Sequence, residues 1–368
     1  MPINGLYGRS ARRRAVFIFF DIFVAGSRYL RYNGADNGFF VWSDTMSSDV
    51  LELLRAAGGY ISGEKMAERL GVTRAAVWKK IAALRDAGYD ISSAPRSGYV
   101  LRSSPDRLIE TEITRGLATR LIGQKVICYD AVNSTNLVLK DLARAGAEDG
   151  TVVVADSQGT GRGRMERAFF SPPGKGIWVS ILLRPTFLPQ DAPKCTLMAA
   201  VAVARAMEKF GLRAAIKWPN DIMYDGCKLV GILTEMSAEM DRVNYVVIGI
   251  GINVNIAPED FPEELRTIAT SLMQMKGEPL PRVAFLQELL RALDDLYSTV
   301  QREGFAPVLA AWRTYAVTLG RPVRVIAAAG ETFDGVAADI DEEGALLIDT
   351  ASGRRRVLAG DVSIRPQQ

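Results

Sequence analysis

Two stretches of this sequence, Gly161-Arg162-Gly163-Arg164 and Lys217-Trp218-Pro219-Asn220-Asp221, say most about its fold and function. In the first, arginines alternate with glycines, so that backbone amides and guanidinium groups can surround an anion. The second joins a lysine, an amide and a carboxylate at a bend that the proline fixes. Together they predict an enzyme domain that handles a phosphate or acyl-phosphate group.

The segments around these stretches alternate between strand-like and helical patterns over residues 108–319, which predicts a central mixed α/β domain. We expect strands at 151–155, 177–183 and 245–251, and helices at 196–210 and 285–302. The chain lacks the P-loop pattern, and Gly249-Ile250-Gly251 lacks the third glycine of a dinucleotide-binding motif. Taken alone, that pair of glycines favours a tight turn at the end of a strand.

Residues 46–107 predict a winged helix-turn-helix domain that binds DNA. Three helical patterns, the second and third capped by Ser62 and Thr73, precede a predicted hairpin. The third helix would enter the major groove and the hairpin tip would touch phosphates. A helical protein-interaction module is the alternative interpretation. The predicted DNA-binding residues are Arg74, Lys79, Lys80 and Arg96.

Both ends of the chain differ from its centre. Residues 1–45 begin with a basic and apolar segment that mimics a signal peptide but is interrupted by Asp21. We interpret them as a disordered extension or the product of a misassigned start codon, with a targeting segment or a structured element as alternatives. Residues 320–368 consist of short strand patterns around a turn at Asp341-Glu342-Glu343-Gly344, which predicts a small β module.

Composition narrows the chemistry. Of 368 residues, 48% are hydrophobic and 24% are charged, which is ordinary for a globular chain of two or three domains. The net charge of +3 confines any nucleic-acid site to a local patch. The chain has no histidine, which excludes Ser-His-Asp, Cys-His and histidine-ligated metal chemistry. Three widely spaced cysteines, at 128, 195 and 227, predict a reducing, cytoplasmic location.

Further motifs occur in a fixed order with the two stretches quoted first. They are Val132-Asn133-Ser134-Thr135-Asn136, then Gln158, then the segment 228–235 that starts with Lys228, then the segment 249–255. This order and spacing resembles the biotin protein ligases. With the winged helix in front, the chain from residue 46 onward resembles the group that both ligates biotin and represses the biotin operon.

The resemblance implies an α+β fold in which the winged helix-turn-helix precedes a class II synthetase-like catalytic domain and an SH3-like barrel. It implies that biotin and ATP, with Mg²⁺, form biotinyl-5′-adenylate and release pyrophosphate. Biotin would then pass to one lysine of a biotin carboxyl carrier protein domain. Operator DNA and a second copy of the chain, in a homodimer formed through the central sheet, are the other implied partners. No membrane partner is expected.

The resemblance also assigns roles to residues at matching positions. The implied biotin-binding residues are Ser134, Thr135, Asn136, Gln158, Arg162, Gly163, Arg164 and Lys228. The implied ATP- or adenylate-binding residues are Gly161, Lys217, Trp218, Asn220 and Asn253. The implied catalytic residues are Lys228, Arg162, Arg164 and Asp221, and Asp221 is also the candidate for Mg²⁺. A ureido ring offers one carbonyl and two N–H groups, which short hydroxyl and amide side chains suit.

One part of the loop departs from the family pattern. Glu166 stands where the family has a glycine, and Phe169 where it has a tryptophan. A carboxylate in an anion-binding loop opposes phosphate, so weaker retention of the adenylate is expected. Three alternatives stay open: a transcription factor that only senses biotin or its adenylate, a ligase for lipoate or octanoate, and a biotin ligase whose winged helix no longer regulates.

Overall fold

The computed structural model describes residues 21–24, 28–31, 41–43, 45–161, 163, 168–327, 332–358 and 362–366. These residues form two compact units, 1–105 and 106–368. The predicted boundary at residue 107 therefore lies two residues beyond the division. Among the described helices, none is both long and apolar enough to cross a membrane.

The first unit contains the predicted winged helix-turn-helix. Its helices are α1 (Thr45–Ala57), α2 (Gly63–Leu70) and α3 (Arg74–Asp86), and its hairpin strands are β4 (Asp90–Ala94) and β5 (Gly98–Ser103), numbered after three strands described below. The Ser62 and Thr73 hydroxyls accept hydrogen bonds from Lys65 N and Ala76 N, as their predicted capping roles require.

A single buried stripe fixes the orientation of α3. Val77, Ile81 and Leu84 pack into the core of the first unit, so the opposite face of the helix is turned to solvent. Arg74 and Lys79 are exposed, Lys80 is half-buried, and Arg96 is exposed at the hairpin tip with a φ of 63°. Arg74 and Lys79 on α3 and Arg96 on the hairpin tip therefore face solvent.

Within the predicted N-terminal extension, three short strands pair antiparallel. They are β1 (Asp21–Val24), β2 (Arg28–Arg31) and β3 (Val41–Ser43). The three strands favour the alternative of a structured element within residues 1–45. The interpretation of this segment as disordered or as the product of a misassigned start codon stays a prediction.

The second unit is built on a seven-stranded mixed sheet. Its strands are β6 (Val126–Val132), β7 (Val152–Gln158), β8 (Gly176–Leu183), β9 (Ala215–Lys217), β10 (Asp221–Tyr224), β11 (Cys227–Ala238) and β12 (Val243–Asn253). Their order is β6-β7-β8-β12-β11-β10-β9, with β6 and β7 parallel and the other neighbours antiparallel.

Helices cover the two faces of this sheet unequally. The helices are α4 (Glu110–Thr114), α5 (Thr135–Arg144), α6 (Lys194–Lys209), α7 (Leu272–Lys276), α8 (Arg282–Glu303) and α9 (Ala306–Tyr315). The largest core packs α6, α8 and α9 against one face. On the other face α5 packs against a smaller cluster that includes Val153, Leu182, Tyr245 and Val247. The remainder of that face is left for a site.

The C-terminal module is a five-stranded antiparallel sheet. Its strands are β13 (Pro322–Ala327), β14 (Thr332–Ile340), β15 (Leu346–Thr350), β16 (Gly353–Val357) and β17 (Val362–Pro366), in the order β16-β15-β14-β13-β17. The turn predicted at 341–344 joins β14 to β15, and Gly344 has a φ of 78°. The predicted fold class is confirmed: a winged helix, a mixed-sheet α/β domain and a small β domain.

Gly98 provides a test of how the hairpin joins the helices of the first unit. Its φ is 98°, and a Cβ there would lie 2.1 Å from the carbonyl oxygen of Ile61. Gly98→Ala should lower the free energy of unfolding of this unit by more than ~2 kcal/mol, because the backbone clash adds to the left-handed strain. Gly71→Ala is the matched control, since Gly71 has a φ of 63° with nothing within 4 Å. Equal losses in denaturant titrations of the two variants would refute the clash.

Candidate active site

A cavity of about 400 Å³ opens on the face of the central sheet that α5 leaves uncovered. It brings together residues from every predicted motif that the structure describes. The predicted residues that line it are Ser134, Thr135, Asn136, Gln158, Gly163, Lys217, Trp218, Asn220, Asp221, Lys228 and Asn253. Arg162, Arg164 and Glu166 lie outside the described residues.

One end of the cavity is a cluster of hydroxyl and amide groups at the start of α5. Gln158 Oε1 accepts a hydrogen bond from Thr135 N at 2.9 Å, and Gln158 Nε2 donates to Ser171 Oγ at 3.1 Å. Asn136 Nδ2 donates to Glu235 Oε2 at 2.9 Å. Ser134 is 3% exposed, and its hydroxyl makes no capping bond to α5. This end therefore offers several oriented polar groups to a small polar ring.

The middle of the cavity holds an ion pair. Lys228 Nζ lies 2.7 Å from Asp221 Oδ1, on neighbouring strands β11 and β10. The backbone of Lys228 is fixed as well, because its N–H donates to Ile268 O and its carbonyl accepts from Thr270 N. Among the described lining residues, Lys217 and Lys228 are the only cations and Asp221 is the only carboxylate. This is the part of the site suited to an anionic reacting group.

The far end is formed by the Lys217–Asp221 motif, whose Trp218–Pro219 peptide is cis. Asn220 Nδ2 donates to Ile232 O, and Asn253 Nδ2 donates to Thr270 O, so both amides are held by the backbone. Trp218 is 1% exposed, and its Nε1 donates to Gly344 O in the C-terminal module. Any contact of Trp218 with a ligand must therefore use the ring and not the indole N–H.

The glycines at 249 and 251 lie inside β12, so the turn expected from that pair is wrong. They point to the cavity face, where Gly251 pairs with Gly231 across the sheet. A Cβ at Gly249 would lie 2.2 Å from Asn136 Oδ1, and one at Gly251 would lie 2.7 Å from the Phe169 ring. The missing side chains let Asn136 and Phe169 lie directly on the sheet, which the sequence pattern did not reveal.

Gly161 and Phe169 close the base of the loop that carries the two arginines. Phe169 N donates to Gly161 O at 2.8 Å. A Cβ at Gly161 would lie 2.4 Å from Phe169 O, so only glycine fits there. The Phe169 ring packs edge-to-face on Trp178 at 5.9 Å and lies 5.6 Å from Lys228 Nζ. Sequence reasoning identified Phe169 only as a departure and missed its place over the lysine.

The cysteines supply no nucleophile to this site. Burial, reinforced by Glu110 and Asp130, raises the pKa of Cys128 to about 12, and burial raises the pKa of Cys195 as well. Because the thiolate is the reactive form, both are inert near neutral pH. None of the three cysteines lines the cavity.

A metal ion at this site would have to be coordinated mainly by a bound substrate and less by the protein. The described residues contain no group of three or more acidic or cysteine side chains suited to a metal ion. Mg²⁺ commonly needs only one or two carboxylates when a substrate supplies phosphates. Asp221 could be that carboxylate, and the described residues form no closed metal-binding cage.

Gly249→Ala tests the glycine floor of the cavity. The new Cβ would expel the Asn136 amide from its place against β12 and break its buried hydrogen bonds. We expect the free energy of unfolding of the second unit to fall by about 2–3 kcal/mol. Gly159→Ala is the control, since its Cβ would meet only Asn133 Oδ1, at 3.5 Å. A Gly249→Ala protein as stable as the control in thermal unfolding would contradict this packing.

Three models of known protein families match this chain. The model of the biotin/lipoate A/B protein ligase family matches residues 128–253. The HTH domain model matches 47–100, and the biotin protein ligase C-terminal domain model matches 318–365. These three matches follow the order of the predicted domains.

Individual relatives are similar over most of the chain. The bifunctional ligase/repressor BirA of Bacillus subtilis is 45% identical over 322 residues, which cover 87% of this chain and 99% of that protein. The protein of the same name from Escherichia coli is 33% identical, with coverage of 85% and 95%. The solved biotin protein ligase from Aquifex aeolicus, in complex with biotin and ATP, is 28% identical with a TM-score of 0.58; the match covers 66% of this chain and all of that one. The chain therefore belongs to the biotin protein ligase family, among the members that carry an N-terminal helix-turn-helix domain.

Proposed function

We propose that this enzyme uses ATP to convert biotin to biotinyl-5′-adenylate and then transfers the biotin to one lysine of a biotin carboxyl carrier protein domain. We propose also that it represses biotin genes in response to biotin. The observation that carries the proposal is the single cavity that joins the polar cluster at α5, the Lys228–Asp221 pair and the Lys217–Asp221 motif. Biotin matches this cavity, because its polar ring suits the polar cluster at α5 and its terminal carboxylate suits the positive charge of Lys228.

In the first step the biotin carboxylate attacks the α-phosphorus of ATP, and pyrophosphate leaves. Two anions must approach each other, so the step needs a positive charge between them. Lys228 supplies it, because its ammonium lies in the middle of the cavity and its backbone is pinned on both sides. Arg162 and Arg164 are proposed to add positive charge from the loop. Mg²⁺ would be held by the ATP phosphates and Asp221, and when bound it neutralises phosphate charge.

In the second step a lysine amine of the carrier attacks the carbonyl of the mixed anhydride, and AMP leaves. The amine must lose a proton, and the chain has no histidine to accept it. Asp221 is the only carboxylate among the described lining residues, which makes it the group placed to receive that proton. The mixed anhydride also needs protection from water, and the Phe169 ring, 5.6 Å from Lys228 Nζ, would supply part of it.

The DNA-binding half of the proposal relies on the first unit. Exposed cations on α3 and on the hairpin tip match the contacts that a winged helix makes with the major groove and with phosphates. A two-fold operator calls for a protein dimer, and we propose that the central sheet forms its interface. Because these substrates and partners occur in the cytoplasm, we propose a cytoplasmic location for the protein.

Lys228→Ala tests the ligase reaction. Transfer of radiolabelled biotin to a purified carrier domain with Mg-ATP should fall by about 100-fold or more, because the charge between the two reacting anions is lost. Lys209→Ala, an exposed lysine at the end of α6, should leave the rate unchanged. If the wild-type protein binds biotin but labels no carrier, the protein is a sensor and not a ligase.

Lys79→Ala tests the DNA interface. If Lys79 contacts a phosphate, the variant should reduce the slope of log K against log salt concentration by about 0.9 on a duplex of random sequence. Arg302→Ala, on the exposed surface of α8, is the control. Fluorescence anisotropy at several salt concentrations gives both slopes. An unchanged slope for Lys79→Ala would remove that residue from the interface.

Glu166→Gly tests the departure in the loop. Removing the carboxylate should slow the release of biotinyl-5′-adenylate, since like charges would no longer face each other. Rapid dilution of the preformed complex with excess unlabelled biotin measures the off-rate. An off-rate equal to that of the wild type would show that Glu166 does not oppose the phosphate.

A further inference from the structure

Ser180 is a fully buried hydroxyl at the polar end of the cavity, and no sequence motif pointed to it. It lies on β8 with 0% exposure. Its Oγ is 2.7 Å from Thr135 Oγ1 and 2.6 Å from Asn136 Oδ1. A serine has one hydrogen to donate, so these two short contacts cannot both be donated by Ser180.

The orientation of Asn136 decides which contact takes that hydrogen. Asn136 Nδ2 faces Glu235 Oε2 at 2.9 Å and Leu233 O at 3.3 Å. A carboxylate and a carbonyl accept hydrogen bonds only, so the amide nitrogen must point at them and Oδ1 must point at Ser180. Lys140 Nζ, 2.8 Å from Glu235 Oε1, holds the carboxylate in place.

The hydrogen of Ser180 therefore goes to Asn136 Oδ1, because an amide oxygen cannot donate. Without that hydrogen, two oxygens would stand 2.6 Å apart and repel. The contact between Ser180 and Thr135 is then a hydrogen bond only if Thr135 donates. The other acceptor near Thr135 Oγ1 is Gln158 Oε1, at 3.2 Å. The contact with Ser180 is the shorter one, and Gln158 Oε1 already accepts from Thr135 N, so the hydrogen of Thr135 goes to Ser180 Oγ and a lone pair is left for the cavity.

We infer that Ser180, oriented by Asn136 and Glu235, is a positioning residue that makes Thr135 a fixed hydrogen-bond acceptor for an N–H of the biotin ureido ring. The inference rests on the proposed function. It identifies a source of specificity, since the head groups of lipoate and octanoate carry no N–H to donate. A site with an oriented polar group discriminates strongly against a ligand that lacks the partner.

Ser180→Ala tests the inference. Without Ser180, only the longer contact with Gln158 Oε1, at 3.2 Å, is left to hold the hydrogen of Thr135, so the hydroxyl can turn that hydrogen toward the cavity and meet the ureido N–H as a donor. The KM for biotin should rise about tenfold, while kcat and the KM for ATP change less than about threefold. Ser271→Ala removes an equally buried hydroxyl, which bonds to Ile256 O and lies outside the cavity lining, and should change neither KM.

Biotin analogues with an altered ring distinguish positioning of the Thr135 hydroxyl by Ser180 from a general disturbance of the cavity in the variant. The two cyclic carbamate analogues of biotin each replace one ureido N–H by oxygen. The wild type should bind the analogue that lacks the N–H facing Thr135 more weakly than biotin, and Ser180→Ala should lose most of that discrimination. Glu235→Ala, at a half-buried position, should raise the KM for biotin too, and the double variant should be no worse than Ser180→Ala alone.

The outcomes are distinguishable from failure of the proposed function. If the wild type shows no biotin-dependent adenylation, the proposed function is at fault. If the wild type is active and Ser180→Ala keeps its KM for biotin and its discrimination between biotin and the carbamate, the positioning role is overturned. Additive effects of Ser180→Ala and Glu235→Ala would show that the two residues act separately.

Discussion

Three positions without a Cβ, Gly231, Gly249 and Gly251, define the floor of the active site. They lie on the face of β11 and β12 that α5 leaves open, and Gly231 and Gly251 are paired neighbours. A side chain at any of them would collide with Asn136, Phe169 or Lys228. Because the floor is bare backbone, the amide at one end and the aromatic ring at the other can both approach the sheet. The glycine floor therefore places the polar cluster and the Lys228–Asp221 ion pair along one surface of the sheet.

The surrounding structure holds this floor through buried polar contacts. Arg282 is 4% exposed; it bonds to Asp156 on β7 and, through both its side chain and its backbone N–H, to Asp106 at the start of the second unit. Asp156 accepts from Gly174 N, and its carbonyl accepts from the Trp178 indole that packs on Phe169. On the opposite side, Trp218 donates its backbone N–H to Thr318 Oγ1 and its indole N–H to Gly344 O in the C-terminal module. The buried charge of Arg282 is compensated by the carboxylates of Asp156, at 3.0 Å, and Asp106, at 3.5 Å.

Much of this could be predicted from the sequence because helix periodicity, caps and motif order are local signals. The caps Ser62 and Thr73, the buried stripe of α3 and the turn at 341–344 all lie where the sequence places them. Gly249 and Gly251 could not be interpreted correctly, since glycine in a strand and glycine in a turn look alike until the partner side chain is known. Ser180 gave no signal, because a lone serine in a buried strand acquires its role only from Asn136 and Thr135, about 45 residues away.

Biotin-dependent exchange of labelled pyrophosphate into ATP, without a carrier protein, tests the central claim most directly. It reports adenylate formation in the one cavity described and depends on neither DNA nor dimer formation. The account predicts exchange with biotin and none with lipoate or octanoate, because only biotin carries the ureido ring that the polar cluster matches. Exchange supported by lipoate or octanoate and not by biotin would contradict it.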